Sequence, residues 1–289
     1  MLKWAVVGSK FQTYIILQNL FQHGFIPQRI YSACIQPKDE SNQLQTWAHQ
    51  HAIPCTLTDN LMSYSDYFAN LDLLLVCRYH LLPRTIFAAP KWGSVNVHSS
   101  LLPQYRGVHP VSWALINGET QTGVTLHVID EGIDTGGILY QAPTSIDPHE
   151  NIWCLTERLN QLSAQLCLQL LQYVTLHHSL PNVRPQTGEG CYAPRRQRID
   201  GLINWRQPCQ QIYNLVRALQ PPYPAAYFVN NLQQEIDITH CHIINNHSSN
   251  IQCGMVVEKS AQRQYLVQCH DGLLQINITH DLEVGTVLP

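Results

Sequence analysis

The chain has 289 residues, 45% of them hydrophobic and 13% charged, with 20 acidic and 17 basic side chains and a net charge of −3. That balance excludes a nucleic-acid-coating protein and a disordered one, and the length suffices for one large or two ordinary domains. Ten cysteines stand singly with no C-x-x-C pair, which argues against a zinc ribbon or a disulfide scaffold and predicts buried thiols in a reducing compartment.

Residues 1–11 lack a basic stretch followed by an apolar run, and no apolar segment is long enough to span a bilayer, so a soluble, cytoplasmic protein is expected. Trp4-Ala5-Val6-Val7 reads as a strand ending at Gly8-Ser9, and Thr13 to Phe21 carries apolar residues at helical spacing. Ile30 to Ile35 and Leu73 to Val76 read as further buried strands. Continuous apolar strands separated by helices predict an α/β fold with a mainly parallel sheet covered on both faces. No G-x-G-x-x-G follows the first strand, so the dinucleotide fingerprint is absent.

From Ile152 to Tyr173 apolar residues step three or four apart, predicting a long amphipathic helix that closes the first domain. Pro181 to Arg198, rich in Pro, Gly and Arg, reads as a linker. Pro208 then opens a helix with Ile212, Leu215, Val216 and Leu219 on one face, and Pro221-Pro222-Tyr223-Pro224 ends it. Short alternating runs follow, with His270-Asp271-Gly272 as a hairpin turn. The expected division is 1–185, a linker over 186–204, and a small β-rich domain over 205–289.

Chemistry concentrates between Gly93 and Gly137. Val95-Asn96-Val97-His98 alternates, so on a strand Asn96 and His98 share a face, an amide donor beside a proton-transfer group. Gly123 to Val128 is another strand, leading into the acidic, glycine-rich loop Asp130-Glu131-Gly132-Ile133-Asp134-Thr135-Gly136-Gly137. On the residues alone, an Asn-x-His strand and an Asp-x-Gly turn are also ordinary structural features, and both readings stand.

The runs Asn96-Val97-His98-Ser99-Ser100-Leu101-Leu102-Pro103-Gln104-Tyr105-Arg106-Gly107 and Asn117-Gly118-Glu119-Thr120-Gln121-Thr122-Gly123-Val124-Thr125-Leu126-His127, with Asp134-Thr135-Gly136, resemble the signature of the 10-formyltetrahydrofolate-dependent formyltransferases. Ile203-Asn204-Trp205 and Val216 to Pro224 resemble the start of that family's carboxyl-terminal domain. The resemblance implies a Rossmann-like formyltransferase domain followed by an OB-like β-rich domain, and an N-formyltransferase activity with 10-formyltetrahydrofolate as donor and no metal. It implies Asn96, His98 and Asp134 as the catalytic centre. Asn96 would donate to a tetrahedral oxyanion, His98 would move protons, and Asp134 would orient and charge the imidazole. A folate pocket is implied at His80, Leu81, Leu82, Ile129, Asp130 and Gly132.

Gln104 to Gly107, Trp113 and Asn117 to Thr120 most resemble the nucleotide-sugar members, which implies as acceptor the amine of a UDP- or dTDP-linked amino sugar, met by Tyr105, Arg106, Trp113 and Tyr223; core packing is the competing role for Trp113. Methionyl-tRNA formyltransferases share the domain plan but carry a long basic insertion, where this chain has Gln36-Pro37-Lys38-Asp39-Glu40-Ser41-Asn42. The net charge of −3 lacks the steering term that a tRNA partner needs. A methionyl-tRNA enzyme and a catalytically silent folate- or nucleotide-binding regulator are the alternatives. The β-rich domain serves either a homodimer contact or a cover over the first domain.

Overall fold

The structure is a computed structural model that describes residues 2–33, 41–77, 81–221, 223–245, 250–261 and 263–289. Its contacts group the chain into two units, one of residues 1–107, 121–145 and 156–193 and a second of residues 108–120, 146–155 and 194–289. The second unit thus takes two segments from inside the range 1–185, and the chain between the units is not confined to 186–204.

In the first unit, β1 (Trp4–Gly8) and β4 (Leu73–Cys77) are buried along their whole length, as expected for central strands covered on both faces. The parallel strands β2 (Ile30–Ser32), β3 (Cys55–Leu57) and β5 (Ser94–His98) join them in the order β3-β2-β1-β4-β5. Alternate residues Ala5 and Val7 of β1 and Leu74 and Val76 of β4 pack in one cluster with Tyr31, Phe68 and Ile86. Helices α1 (Lys10–Gln22), α2 (Ser41–Gln50), α3 (Ser65–Ala69) and α4 (Arg84–Phe87) connect these strands.

Beyond β5 the chain forms the short strand β6 (Arg106–Gly107) and helix α5 (Pro110–Ile116), then returns along the sheet edge as β7 (Gln121–Val128), antiparallel to β5. A hairpin then gives β8 (Ile138–Ser145), antiparallel to β7, completing a seven-stranded sheet. The long helix α6 (Ile152–His177) follows, burying Leu155, Leu159, Leu170 and Val174 at the predicted spacing.

The stretch expected as a linker is ordered by pairing. Within it β9 (Tyr192–Ala193) runs parallel to β6, with Gly107 opposite Ala193. Gly107 has φ +95° and a Cβ there would lie 2.7 Å from the Ala193 carbonyl oxygen, so only glycine permits this close approach.

In the second unit, α7 (Cys209–Ala218) packs against α5. The Cys209 N–H at its start donates to Asp271 Oδ1 (2.7 Å), in the predicted hairpin turn. The buried Arg217 guanidinium donates to the carbonyls of Asp147 (3.0 Å) and Glu150 (3.1 Å) and to Asn214 Oδ1 (3.0 Å), which ties residues 146–155 to this unit. Strands β10 (Tyr227–Val229), β11 (Glu235–Asn245), β12 (Val256–Ala261), β13 (Gln264–Gln268) and β14 (Leu273–Ile278) form an antiparallel sheet in the order β10-β11-β14-β13-β12. The described cysteines are free thiols. Among the described residues no helix is long and apolar enough to cross a membrane.

Candidate functional site

The parallel strands diverge from β1, with β2 and β3 on one side and β4 and β5 on the other. Ligands of open α/β sheets gather outside the carboxyl ends of such strands. His98 is the last residue of β5. Register pairs Asn96 directly with His127 of β7, so both side chains stand on one face, and the β7–β8 hairpin carries Asp134 back to them.

Four groups meet there. Asn96 Nδ2 donates to Asp134 Oδ1 at 3.2 Å and lies 3.1 Å from His127 Nε2. His98 Nδ1 lies 3.4 Å from Asp134 Oδ2, and His127 Nε2 lies 3.4 Å from Asp134 Oδ1. The Gly107 N–H donates to Asp134 Oδ2 at 2.8 Å. Each histidine rests its other nitrogen on a main-chain carbonyl: His98 Nε2 on Tyr105 (2.8 Å) and His127 Nδ1 on Val128 (2.9 Å). Two imidazoles thus bracket one carboxylate.

Burial pushes the Asp134 carboxyl up. The hydrogen bond with His127, the charge of His98 and the Gly107 N–H outweigh it and hold the group down at about 2. The two rings lie 6.4 Å apart by centroid, so charging both costs about 3 kcal/mol at an effective dielectric of about 20.

The loop is held in an uncommon backbone state. Asp134 has φ +53° and Tyr105 φ +56°, which for a bulky residue costs on the order of 1 kcal/mol or more. Gln186 secures the first: its Nε2 donates to the carbonyls of Asp134 (2.7 Å) and Gly136 (2.8 Å). Its Oε1 accepts from Arg106 Nε (3.1 Å) and Nη2 (2.7 Å). At Gly136 a Cβ would lie 1.8 Å from the Val128 carbonyl oxygen, so the loop closes only over glycine.

The structure therefore brings Asn96, His98 and Asp134 together and adds His127 and Gln186, which the sequence reading did not select. His127 shares a face of β7 with Thr125, and only the register with β5 sets that face against Asn96. Ile129, Asp130 and Gly132 line an open cavity of about 510 Å³ with Arg84, Phe87, Ala88 and Glu131, and Arg84 pairs with Glu131 at its rim. Asp130 Oδ1 accepts from Thr135 Oγ1 (2.6 Å) and Gly132 N (3.1 Å), shaping the loop. His80 lies outside the described residues. Leu81 and Leu82 do not line this cavity: Leu82 packs on the β1/β4 cluster, and Leu81 is 77% exposed.

Tyr105 and Arg106 adjoin the cluster in the first unit. Trp113 and Tyr223 belong to the second, where Trp113 Nε1 donates to the Pro194 carbonyl (2.8 Å). Tyr223 stacks on Trp153 (5.9 Å, 24°) with the Arg196 guanidinium 6.0 Å from its ring centroid. Among the described residues no group of three or more His, Cys, Asp or Glu is placed to hold a metal ion.

Comparison with known proteins bears on this arrangement. The Formyl transferase profile matches residues 37–171, and the Formyl transferase, C-terminal domain profile matches residues 196–283. The methionyl-tRNA formyltransferase of Geotalea uraniireducens is 41% identical over 221 residues, 73% of this chain and 70% of that relative. This chain belongs to the formyltransferase family. The methionyl-tRNA formyltransferase of Thermodesulfovibrio yellowstonii is 38% identical to this family member over 209 residues, 72% of this chain. The match spans 65% of that relative, less than two thirds of its length. The fold is shared with WlaRD, a sugar 3N-formyl transferase crystallised with dTDP and 5-N-formyl-THF, at a TM-score of 0.70 and 21% identity over 98% of this chain and 99% of that one.

Proposed function

We propose that this protein transfers a formyl group from 10-formyltetrahydrofolate to a primary amine carried on a nucleotide-linked sugar. The observation that carries the reading is the convergence of Asn96, His98 and Asp134 at the carboxyl end of β5. The loop that carries Asp134 also edges an open cavity, where we place the donor. The cavity volume lies in the range of small-molecule sites, with Phe87 and Ile129 as apolar surface and the Asp130 to Gly132 loop as polar edge.

Formyl transfer needs a donor for the growing negative charge, a proton carrier and a group that fixes that carrier. Asn96 Nδ2 supplies the hydrogen for the oxygen, a contact whose loss costs about 3 kcal/mol in comparable sites. With Nε2 of His98 donating to Tyr105, Nδ1 is the nitrogen that exchanges the proton of the amine. Asp134, ionised across the neutral range, accepts from Nδ1 once that nitrogen has taken the proton and so stabilises the imidazolium.

Charge weighs against a tRNA acceptor. The whole net charge of −3 falls in the second unit, where ten Asp and Glu face seven Lys and Arg, a poor surface for a polyanion. In the first unit Arg106, whose guanidinium is held by Gln186, is the candidate for a phosphate; in the second unit Tyr223, stacked on Trp153, is a candidate for a base or sugar, and Trp113 is another. A cytoplasmic site of action goes with a folate donor. Methionyl-tRNA is the second reading, favoured by the relatives at 38% and 41% identity.

The test presents the protein with 10-formyltetrahydrofolate and either a panel of UDP- and dTDP-linked amino sugars or charged initiator tRNA. Release of tetrahydrofolate with formylation of a sugar is expected. Formylation of the tRNA alone, with steep salt dependence, would replace the first reading by the second.

A further inference from the structure

His127 stands opposite Asn96 and has no part in the reaction set out above. Its Nδ1, 2.9 Å from the Val128 carbonyl, carries a hydrogen and donates. The state of Nε2 decides the rest. It lies 3.1 Å from Asn96 Nδ2 and 3.4 Å from Asp134 Oδ1, and Asn96 Nδ2 is itself 3.2 Å from that oxygen.

A carboxamide has two hydrogens. With Nε2 bare, one goes to His127 and the other to Asp134, and neither reaches an oxyanion; a lone pair on Nε2 also faces the carboxylate. With Nε2 protonated, the ring donates to Asp134 and stops accepting from Asn96. One amide hydrogen is then released.

We propose that His127 is a positioning residue that works as its imidazolium: by donating to Asp134 it releases an Asn96 N–H for the oxyanion, and its neutral form withholds that hydrogen. This rests on the formyl-transfer reading, with Asn96 as the oxyanion donor. The titratable groups facing His127 are Asp134 from the β7–β8 loop and His98 from β5. The proton comes from solvent and binds Nε2; no other bond changes. A charged His127 favours a neutral His98, the state that accepts a proton from the amine, so the two rings divide the work.

The test joins kinetics with nuclear magnetic resonance on the full chain. Turnover of the wild type falls on the alkaline side as His127 loses its proton. His127→Gln, whose amide donates to Asp134 at every pH, keeps turnover and lacks that alkaline fall. His127→Leu, which neither accepts from Asn96 nor donates to Asp134, folds by circular dichroism and likewise lacks that alkaline fall, with KM for the donor unchanged. In the acceptor-free wild type, the Asn96 side-chain amide resonances shift with the same midpoint as His127 Nε2. The inference is overturned if the Asn96 resonances ignore the His127 titration, or if either variant keeps the alkaline fall. Should no acceptor be formylated at all, the proposed function fails, while the resonance titration still decides whether His127 controls Asn96.

Discussion

Replacing Asp134 by Asn removes one charge and little volume. The native carboxylate accepts from Gly107 N and Asn96 Nδ2 and faces both histidines. These interactions, working against burial, hold it at about 2 where an aspartate ordinarily titrates at 3.8. At 1.36 kcal/mol per pH unit, that difference corresponds to about 2 kcal/mol of folding stability. Because the folded value is the lower one, this stabilisation is complete above the unfolded value near 4 and is lost as pH falls through about 2. Asparagine tolerates the φ of +53° at this position, so the backbone is not an added cost. Urea unfolding of both proteins from neutral to acidic pH gives the comparison, in which every other carboxylate cancels. The wild type is expected to be more stable by about 2 kcal/mol near neutrality, with the gap closing toward pH 2. Turnover of the variant falls at least about 100-fold. A gap that does not change with pH would refute the electrostatic account of the loop.

Gly136→Ala places a methyl group against the Val128 carbonyl, and a loss of 2 kcal/mol or more, as is typical of about that degree of overpacking, is expected in thermal unfolding, with turnover falling alongside. Gln186→Leu strips the hydrogen bonds from the Asp134 and Gly136 carbonyls and from Arg106; a stability loss of about 1–3 kcal/mol should accompany a larger fall in kcat, and unchanged kcat would remove Gln186 from the site. Asp271→Ala removes the acceptor at the start of α7 and should cost about 1 kcal/mol while turnover per folded molecule is retained.

Much of this was legible in the chain itself, for definable reasons. β1 and β4 announce themselves because strands covered on both faces must be apolar throughout, and α6 because its buried stripe recurs every three or four residues. Asn96 and His98 were visible through alternation. Asp134 was proposed only through resemblance, since a hairpin loop leaves no periodic trace. His127 stayed hidden because its partner lies across the sheet, and cross-strand register cannot be read from one strand. Gln186 was passed over because its Pro- and Gly-rich setting looks like a free connection, whereas irregular backbone is held here by side-chain hydrogen bonds. β11 was not singled out because a register shift between Ile238 and His240 breaks its alternation. The placement of residues 108–120 and 146–155 in the second unit depends on Arg217 and α7, far away along the chain.

The antiparallel return of β7 has a further consequence. Because that strand doubles back beside β5, the side chains of the Asn96, His98, His127 and Asp134 cluster all come from one uninterrupted stretch between positions 96 and 134. Descent can therefore pass these four side chains on as one short segment, although Gln186 from beyond α6 still sets the backbone that carries Asp134.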